Sequence, residues 1–248
     1  MLRRALPPLL AFGLACAHGP TAHDRQSAEI HHDLGVDALR AGRYPEALKE
    51  FDEALKLDGI FSDAHRGRGL TLEFGFGKQE EAEREYRRAI ELRPGYSEAH
   101  NDLGQLLARA GRFQEAVKEF DAALANMLYK EPWVARCNKG LALYQLGRKA
   151  EGLAELESCV SMSPRYCLGH RELGRLQLAE GRVREALESF ERYARACDRA
   201  ADAWYQMGLA HLKAGDAEKA RQAFQKCESL GPDTALGGDC RRSRELLQ

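Results

Sequence analysis

Four residue positions recur along this chain at nearly constant spacing, and this periodicity constrains the fold more than any other feature. One glycine series has intervals of 34, 35, 36, 34 and 34 residues: Gly35, Gly69, Gly104, Gly140, Gly174 and Gly208. Three more series keep the same register: a second glycine (Gly42, Gly77, Gly111, Gly147, Gly181, Gly215), a small residue (Ala47, Ala82, Ala116, Gly152, Ala186, Ala220) and a bulky residue (Phe51, Tyr86, Phe120, Leu156, Phe190, Phe224). A period of this length is typical of stacked supersecondary units.

Each position has a steric role in a pair of antiparallel helices. The first glycine and the small residue predict where the two helices approach most closely, because a larger side chain would push them apart. The second glycine predicts the end of the first helix, where a positive φ is needed. Pro94, Pro164 and Pro232 are expected to close second helices. The pattern predicts an all-α solenoid whose hairpins bury their faces only against each other, with the bulky residues filling the space between neighbours.

These slots resemble those of the tetratricopeptide repeat (TPR) family. The resemblance covers residues 28–234 and implies a right-handed superhelix of six helical hairpins with a concave inner face. The six repeats are predicted at residues 28–61, 62–96, 97–132, 133–166, 167–200 and 201–234. The third contains two extra residues within 126–132. Residues 235–248 are expected to form a polar capping helix after a Gly237-Gly238 turn, since a terminal repeat must face water.

The N-terminal residues 1–15 predict a lipoprotein signal peptide. Arg3 and Arg4 precede an apolar run that is too short for a bilayer core, which needs about 20 apolar residues. The segment ending in Ala15-Cys16 resembles a bacterial lipobox, with Gly13 where leucine is usual. The resemblance implies a covalent diacylglycerol and palmitate on Cys16.

The residue after that cysteine is Ala17, which by the same resemblance favours the outer membrane. Ordinary cleavage after Ala17 is an alternative, because Ala15 and Ala17 also fit an Ala-x-Ala site. Residues 16–27 are predicted to be a flexible tether.

Six further cysteines lie in the C-terminal half: Cys137, Cys159, Cys167, Cys197, Cys227 and Cys240. An exported compartment permits disulfides, and we expect at least one. A Cys159–Cys227 bridge is excluded, because two repeats separate these residues and bridged Cα atoms lie within about 7 Å. Cys227–Cys240 and Cys159–Cys167 are both possible pairs. Cys159 and Cys227 also occupy a slot that is alanine in other repeats, so each could instead be a small buried residue.

Histidines fill the same position of the first helix in four repeats: His31, His65, His100 and His170. A shared metal is excluded by distance, since packed helices lie about 10 Å apart whereas zinc ligands lie about 2 Å from the ion. Structural packing is expected instead, as for Trp204 in the last repeat.

Neither catalysis nor nucleic-acid binding is indicated. The chain lacks Gly-x-Ser-x-Gly, His-Glu-x-x-His, P-loop and dinucleotide motifs. With 37 basic and 38 acidic residues its formal charge is −1, which gives no strong field to attract nucleic acid. We expect a non-enzymatic protein without metal, bound cofactor or small-molecule substrate.

The concave face is where TPR proteins usually hold peptides, through four positions of each first helix. The candidates form a groove that turns from polar to apolar along the chain: Arg66, Asn101, Gln105, Val134, Leu141, Tyr144, Leu168, Tyr205, Leu209 and Leu212. Exposed apolar grooves usually mark a partner site. The alternative is that some of these leucines contact the capping helix.

A signal peptide with a cysteine, six TPRs and no further domain resembles the type IV pilus biogenesis lipoproteins, the pilotins of the PilF, PilW and Tgl type. The most specific point is the junction over residues 126–140, in which Tyr129 and Pro132 precede Asn138-Lys139-Gly140. The resemblance implies a periplasm-facing outer-membrane scaffold that assists the pilus secretin. A scaffold for outer-membrane protein assembly or for cell-wall enzymes is the alternative.

Overall fold

The computed structural model describes residues 19–197 and 199–247, and within them every regular element is an α-helix. The bounds are α1 Ala22–Arg40, α2 Tyr44–Leu57, α3 Ser62–Phe76, α4 Gln79–Leu92, α5 Ser97–Arg109, α6 Phe113–Ala125, α7 Pro132–Gln145, α8 Lys149–Met162, α9 Cys167–Ala179, α10 Val183–Ala196, α11 Ala201–Lys213, α12 Ala217–Leu230 and α13 Ala235–Glu245. Consecutive helices pair into six hairpins, α1–α2 to α11–α12, and α13 packs on the last. The predicted all-α TPR solenoid with its cap is confirmed.

Each hairpin turns at the second glycine of the repeat. These six glycines are the residues with positive φ, between 66° and 80°, and no other described residue has one. Gly77, for example, is the left-handed C-cap of α3, and its N–H donates to the carbonyl of Glu73. Glycine is needed there because a Cβ disfavours this conformation.

The first glycine lies where the two helices of a hairpin are closest. A Cβ added at Gly104 would stand 2.6 Å from the Phe120 ring, and one added at Gly174 would stand 2.6 Å from the Phe190 ring. Phe120 and Phe190 are fully buried, so these rings have no free space into which to move. In the fourth hairpin the approach is backbone to backbone, since a Cβ on Gly140 would lie 2.8 Å from the carbonyl oxygen of Gly152.

The two extra residues of the third repeat lengthen one loop. Residues 126–131 connect α6 to α7, whereas residues 93–96 and 163–166 make the equivalent connections in the neighbouring repeats. Met127 and Leu128 lie at the tip and are 97% and 87% exposed.

Two predicted segments differ from the structure. Residues 22–27, predicted as part of the tether, are the first turns of α1, because Thr21 and Asp24 form a reciprocal capping box. Gly237 and Gly238, predicted as a turn, lie inside α13, because Thr234 caps the helix by accepting a hydrogen bond from the Gly237 N–H. The predicted signal peptide and Cys16 lie outside the described residues.

Three disulfides join the six cysteines of the C-terminal half. Cys137–Cys159 links α7 to α8, Cys167–Cys197 links the two ends of the fifth hairpin, and Cys227–Cys240 links α12 to α13, with Cα–Cα distances of 5.4, 5.9 and 6.1 Å. The expectation of at least one disulfide is confirmed. Of the two pairs that the sequence left as possibilities, Cys227–Cys240 forms, and Cys159–Cys167 does not, because Cys159 faces Cys137 across the interface within its own hairpin.

Candidate protein-binding groove

The first helices of successive hairpins lie side by side and leave clefts between them. A cleft of about 610 Å³ lies between α1 and α3 and includes Asp33, Asp63 and Arg66. A smaller cleft of about 180 Å³ lies between α5 and α7. We use "groove" for the surface formed by these first helices.

In the N-terminal half, two predicted groove residues are held by partners from the neighbouring repeat. The Arg66 Nε donates to Asp102 at 2.6 Å, and the Asn138 amide donates to the Asn101 side-chain oxygen at 3.1 Å. Burial raises the pKa of Asp102 above the ordinary range of a carboxyl, and the adjacent guanidinium opposes that rise. Asp102 was not predicted as part of the groove, although it orients Arg66.

A second unpredicted contact is centred on the buried carboxylate of Glu73. It accepts a hydrogen bond from the Tyr86 hydroxyl at 2.8 Å and pairs with Arg109 of the next repeat. Burial, with the nearby carboxylates of Asp102 and Glu73, raises the pKa of Tyr86 above its ordinary value. This buried carboxylate has both a neutral and a cationic partner, which reduces the cost of burying its charge.

The middle of the groove brings two predicted residues together. Gln105 of α5 and Leu141 of α7 line the 180 Å³ cleft, with Phe113 and the ring of Phe120 at its base. Arg109 and Asn138 border the same cleft. An apolar floor with polar groups at the edge suits an extended peptide or a helix face.

The C-terminal half of the groove contains exposed leucines and a tyrosine whose hydroxyl has a partner in the next repeat. Leu168 and Leu212 are 43% and 39% exposed, and Val134 is half-buried in α7. The Tyr144 hydroxyl donates to Glu180 at 2.5 Å, so this side chain also has a partner in the next repeat.

Tyr205 and Leu209 occupy a different environment. Both are half-buried against the cluster that contains Phe224 and the Cys227–Cys240 pair, with Leu236 of the cap beside them. The alternative of contact with the capping region therefore applies to these two residues. Leu212, which lies in the same helix α11, is exposed.

The repeated histidines make hydrogen bonds within their own hairpins. The Nδ1 atoms of His31, His65 and His100 lie 2.7 Å from the carboxylates of Glu50, Glu85 and Glu119. In addition, the His100 Nε2 lies 2.9 Å from the Pro94 carbonyl oxygen. These contacts agree with the structural interpretation of the histidine slot.

The repeat geometry and its slots define a TPR protein, and comparison with known families agrees. Models of the tetratricopeptide repeat match residues 28–59, 71–127, 135–166 and 171–234. The chain belongs to the tetratricopeptide repeat family, whose domains bind protein partners.

Two curated relatives share part of this sequence. The U-box domain-containing protein 70 of Oryza sativa subsp. japonica is 27% identical over 190 residues, which is 77% of this chain and 19% of that protein. The Hsp70-Hsp90 organizing protein of Triticum aestivum is 31% identical over 136 residues, which is 54% of this chain and 22% of that protein. The chain thus spans about a fifth of the length of these relatives.

Solved structures of similar size match almost from end to end. PilW, a widely conserved type IV pilus biogenesis factor, superposes with a TM-score of 0.79 at 24% identity, covering 86% of this chain and 98% of PilW. PilF of Pseudomonas aeruginosa superposes with a TM-score of 0.76 at 19% identity, covering 89% of this chain and 99% of PilF. YrrB, a TPR protein with an unusual peptide-binding site, superposes with a TM-score of 0.57 at 22% identity, covering 77% of this chain and 97% of YrrB. At these identities the likeness shows a shared fold.

Among the helices of the described residues, none has the length and apolar character needed to cross a membrane.

Proposed function

We propose that this chain is an outer-membrane lipoprotein that scaffolds type IV pilus biogenesis from the periplasmic side. The observation that carries the proposal is the near-complete overlap with PilW and PilF, each covered over 98% or more of its length. Partial matches arise wherever TPRs occur, as in the plant relatives. A match over nearly the whole length of both chains is more specific than the repeat itself.

In this proposal a lipid on Cys16 holds the solenoid at the membrane, and the groove binds secretin subunits. Tethering raises the local concentration of the groove without adding any contact. The short segment between Cys16 and α1, which begins at Ala22, would keep the first hairpin close to the membrane surface.

The tether is tested by Cys16→Ser in a pilus-forming bacterium that carries this gene. Because the variant loses the lipid but keeps the groove, we expect fewer detergent-resistant secretin multimers and reduced surface motility. The control is Cys137→Ser with Cys159→Ser, which also removes cysteines but leaves the signal segment intact. Normal multimers and motility in Cys16→Ser, at an unchanged protein level, would refute the tethering step.

The groove is tested by Leu168→Asp with Met162→Asp as its matched control. The two side chains have similar exposure, 43% and 46%, but Leu168 lies on a first helix and Met162 on a second helix. A charge at the centre of an apolar contact is expected to weaken binding by about tenfold or more. Crosslinking and mass spectrometry should recover the secretin with the control and much less with Leu168→Asp. Recovery of an outer-membrane assembly factor or cell-wall enzyme, in place of the secretin, would favour the other scaffold.

A further inference from the structure

The fifth hairpin lacks a carboxylate that the first four hairpins contain. The residue just before the bulky position is Glu50, Glu85, Glu119 and Glu155 in the first four and Ser189 in the fifth. Each glutamate lies 2.7–2.8 Å from the cation-forming side chain of the histidine slot, which is His31, His65, His100 or Arg136. These four copies of one contact show that the side chain at the histidine position takes a carboxylate as its partner.

His170, the fifth member of that slot, has no such partner. Ser189 donates instead to the Gln177 side chain at 2.7 Å. The Nε2 of His170 lies 3.1 Å from the Pro164 carbonyl oxygen, and its buried Nδ1 has no hydrogen-bond partner within the described residues. Residue His170 is only 3% exposed, so its Nδ1 lacks the hydrogen-bond partner that buried polar atoms usually have.

His170 lines a cleft of about 430 Å³ between α8 and α10, on the side of the solenoid formed by the second helices. Arg165, Arg192 and Arg195 line the same cleft, and among residues 19–197 and 199–247 no acidic side chain lines it. Arg165 and Arg192 form no ion pair within the described residues, and Arg195 makes one loose pair with Glu191 at 3.9 Å. The cleft therefore concentrates positive charge around an unsatisfied buried histidine.

A neighbouring cleft contains carboxylates, but most of them have partners. Arg192 also borders this second cleft, which includes Glu157, Glu185 and Glu188. Arg182 pairs with both Glu157 and Glu185. The acidic cleft thus compensates Arg192 only in part.

We propose that the cleft between α8 and α10 binds a carboxylate of an acidic peptide segment from a partner protein, in the place that glutamate occupies in the other hairpins. Three arginines and one histidine suit a segment with several neighbouring carboxylates. The site lies on the opposite side of the hairpin from the groove. Its test uses purified protein, so it can fail while the proposed pilus function stands.

The first test is calorimetric titration with a capped pentaglutamate peptide and, separately, with inorganic phosphate. Ser189→Glu supplies the missing carboxylate from within the chain, and we expect peptide binding to fall by about tenfold because the slot is then filled. Ser229→Glu adds the same charge at an exposed position of α12 and should leave binding unchanged. Equal effects of the two variants would overturn the proposal, as would binding of phosphate without binding of the peptide.

A second pair of variants keeps the proposal testable if Ser189→Glu disturbs packing. Arg192→Gln with Arg195→Gln removes two exposed charges from the cleft and should weaken peptide binding by about tenfold. Arg25→Gln with Arg184→Gln makes the same change of net charge on exposed positions elsewhere. A parent protein that does not bind the peptide, or two double variants that bind it equally well, would overturn the proposal.

The histidine gives an independent readout by NMR. Burial lowers the pKa of His170, and Arg192 and Arg195 of α10 lower it further. Arg165 approaches from the loop before α9, and α8 contributes only the uncharged Val160 and Ser161 to the cleft. A bound carboxylate favours the protonated ring, so the peptide should raise the pKa of His170 and bind more tightly as the pH falls through that value.

His170→Phe should remove this pH dependence, since the slot already accepts an aromatic ring at Trp204. A pKa of His170 that is unchanged by saturating peptide would place the peptide elsewhere and contradict the proposal.

Discussion

Replacing Gly104 by alanine tests the packing rule on which the solenoid depends. Gly104 lies in the middle of α5, where alanine is favoured over glycine by about 1 kcal/mol through helix propensity alone. The added Cβ would stand 2.6 Å from Cε1 and 2.8 Å from Cδ1 of Phe120, whereas ordinary contact begins near 3.4 Å. The ring must therefore move by about 0.8 Å, and it is fully buried.

The two effects have opposite signs, and we expect the steric effect to be larger. Overpacking a buried interface costs about 1–3 kcal/mol, which leaves Gly104→Ala less stable than the parent by about 1 kcal/mol. Gly238→Ala is the matched control, because it also lies in a helix but a Cβ there would meet only the Arg242 side chain at 3.6 Å. The control should therefore be more stable by up to about 1 kcal/mol.

Urea unfolding followed by far-ultraviolet circular dichroism, under oxidising conditions, measures both differences. Adding Phe120→Leu to Gly104→Ala should recover part of the loss, since leucine is shorter than phenylalanine and already occupies the bulky position of the fourth hairpin as Leu156. A Gly104→Ala protein as stable as the parent would refute the steric explanation of the glycine series.

Two further predictions concern the disulfides and the histidine slot. Cys227→Ser with Cys240→Ser removes a bridge of sequence separation 13, which by the chain-entropy relation stabilises the fold by about 3 kcal/mol. The urea midpoint of the oxidised variant should therefore fall, and reduction, which opens all three bridges, should lower the midpoint of the parent further still. An unchanged midpoint would contradict the pairing. Burial lowers the pKa of His100, but its hydrogen bonds to Glu119 and to a backbone carbonyl outweigh that effect and raise the pKa above its ordinary value. Protonated His100 therefore stabilises the folded state, fully below the unfolded-state pKa of about 6.5, and this contribution is lost as the pH rises through the folded-state pKa. His100→Gln should accordingly destabilise the protein more at low pH than at high pH. An equal loss of unfolding free energy at low and at high pH would contradict this contribution of His100.

The hairpins and their turns could be predicted from the sequence because each slot reports a local requirement. Gly77 must adopt a positive φ whatever surrounds it, and Gly104 must admit the ring of Phe120 from the same hairpin. Such requirements repeat with the period and are visible without knowledge of how hairpins stack. The start of α1 was missed because the capping box at Thr21 lies before the first recurring slot.

The contacts between repeats could not be predicted in the same way. They depend on the rotation between successive hairpins, which decides which side chains of neighbouring first helices meet. The spacing of these contacts is itself a usable signal. Four of them join residues that are 36 or 37 apart, which is the local period plus one or two residues: Arg66–Asp102, Glu73–Arg109, Asn101–Asn138 and Tyr144–Glu180. Complementary side chains at that spacing identify the groove contacts that single-repeat reasoning missed.

Two residues at the apolar end of the predicted groove pack close to the cap for a related reason. Tyr205 and Leu209 occupy groove positions of α11, and the hairpin that contains α11 is followed by α13. Their neighbours are instead the cluster around Cys240 and Leu236 of α13. Repeat periodicity alone does not specify how a terminal hairpin is covered.

Site-specific photo-crosslinking in living cells tests most directly whether the groove holds the pilus secretin. A photoreactive residue at Gln105 lies in the cleft between α5 and α7, and one at Lys118 lies on an exposed position of α6, a second helix. We expect a secretin adduct from position 105 and none from position 118. Secretin adducts from position 118 alone, or adducts from position 105 that contain only other proteins, would contradict it.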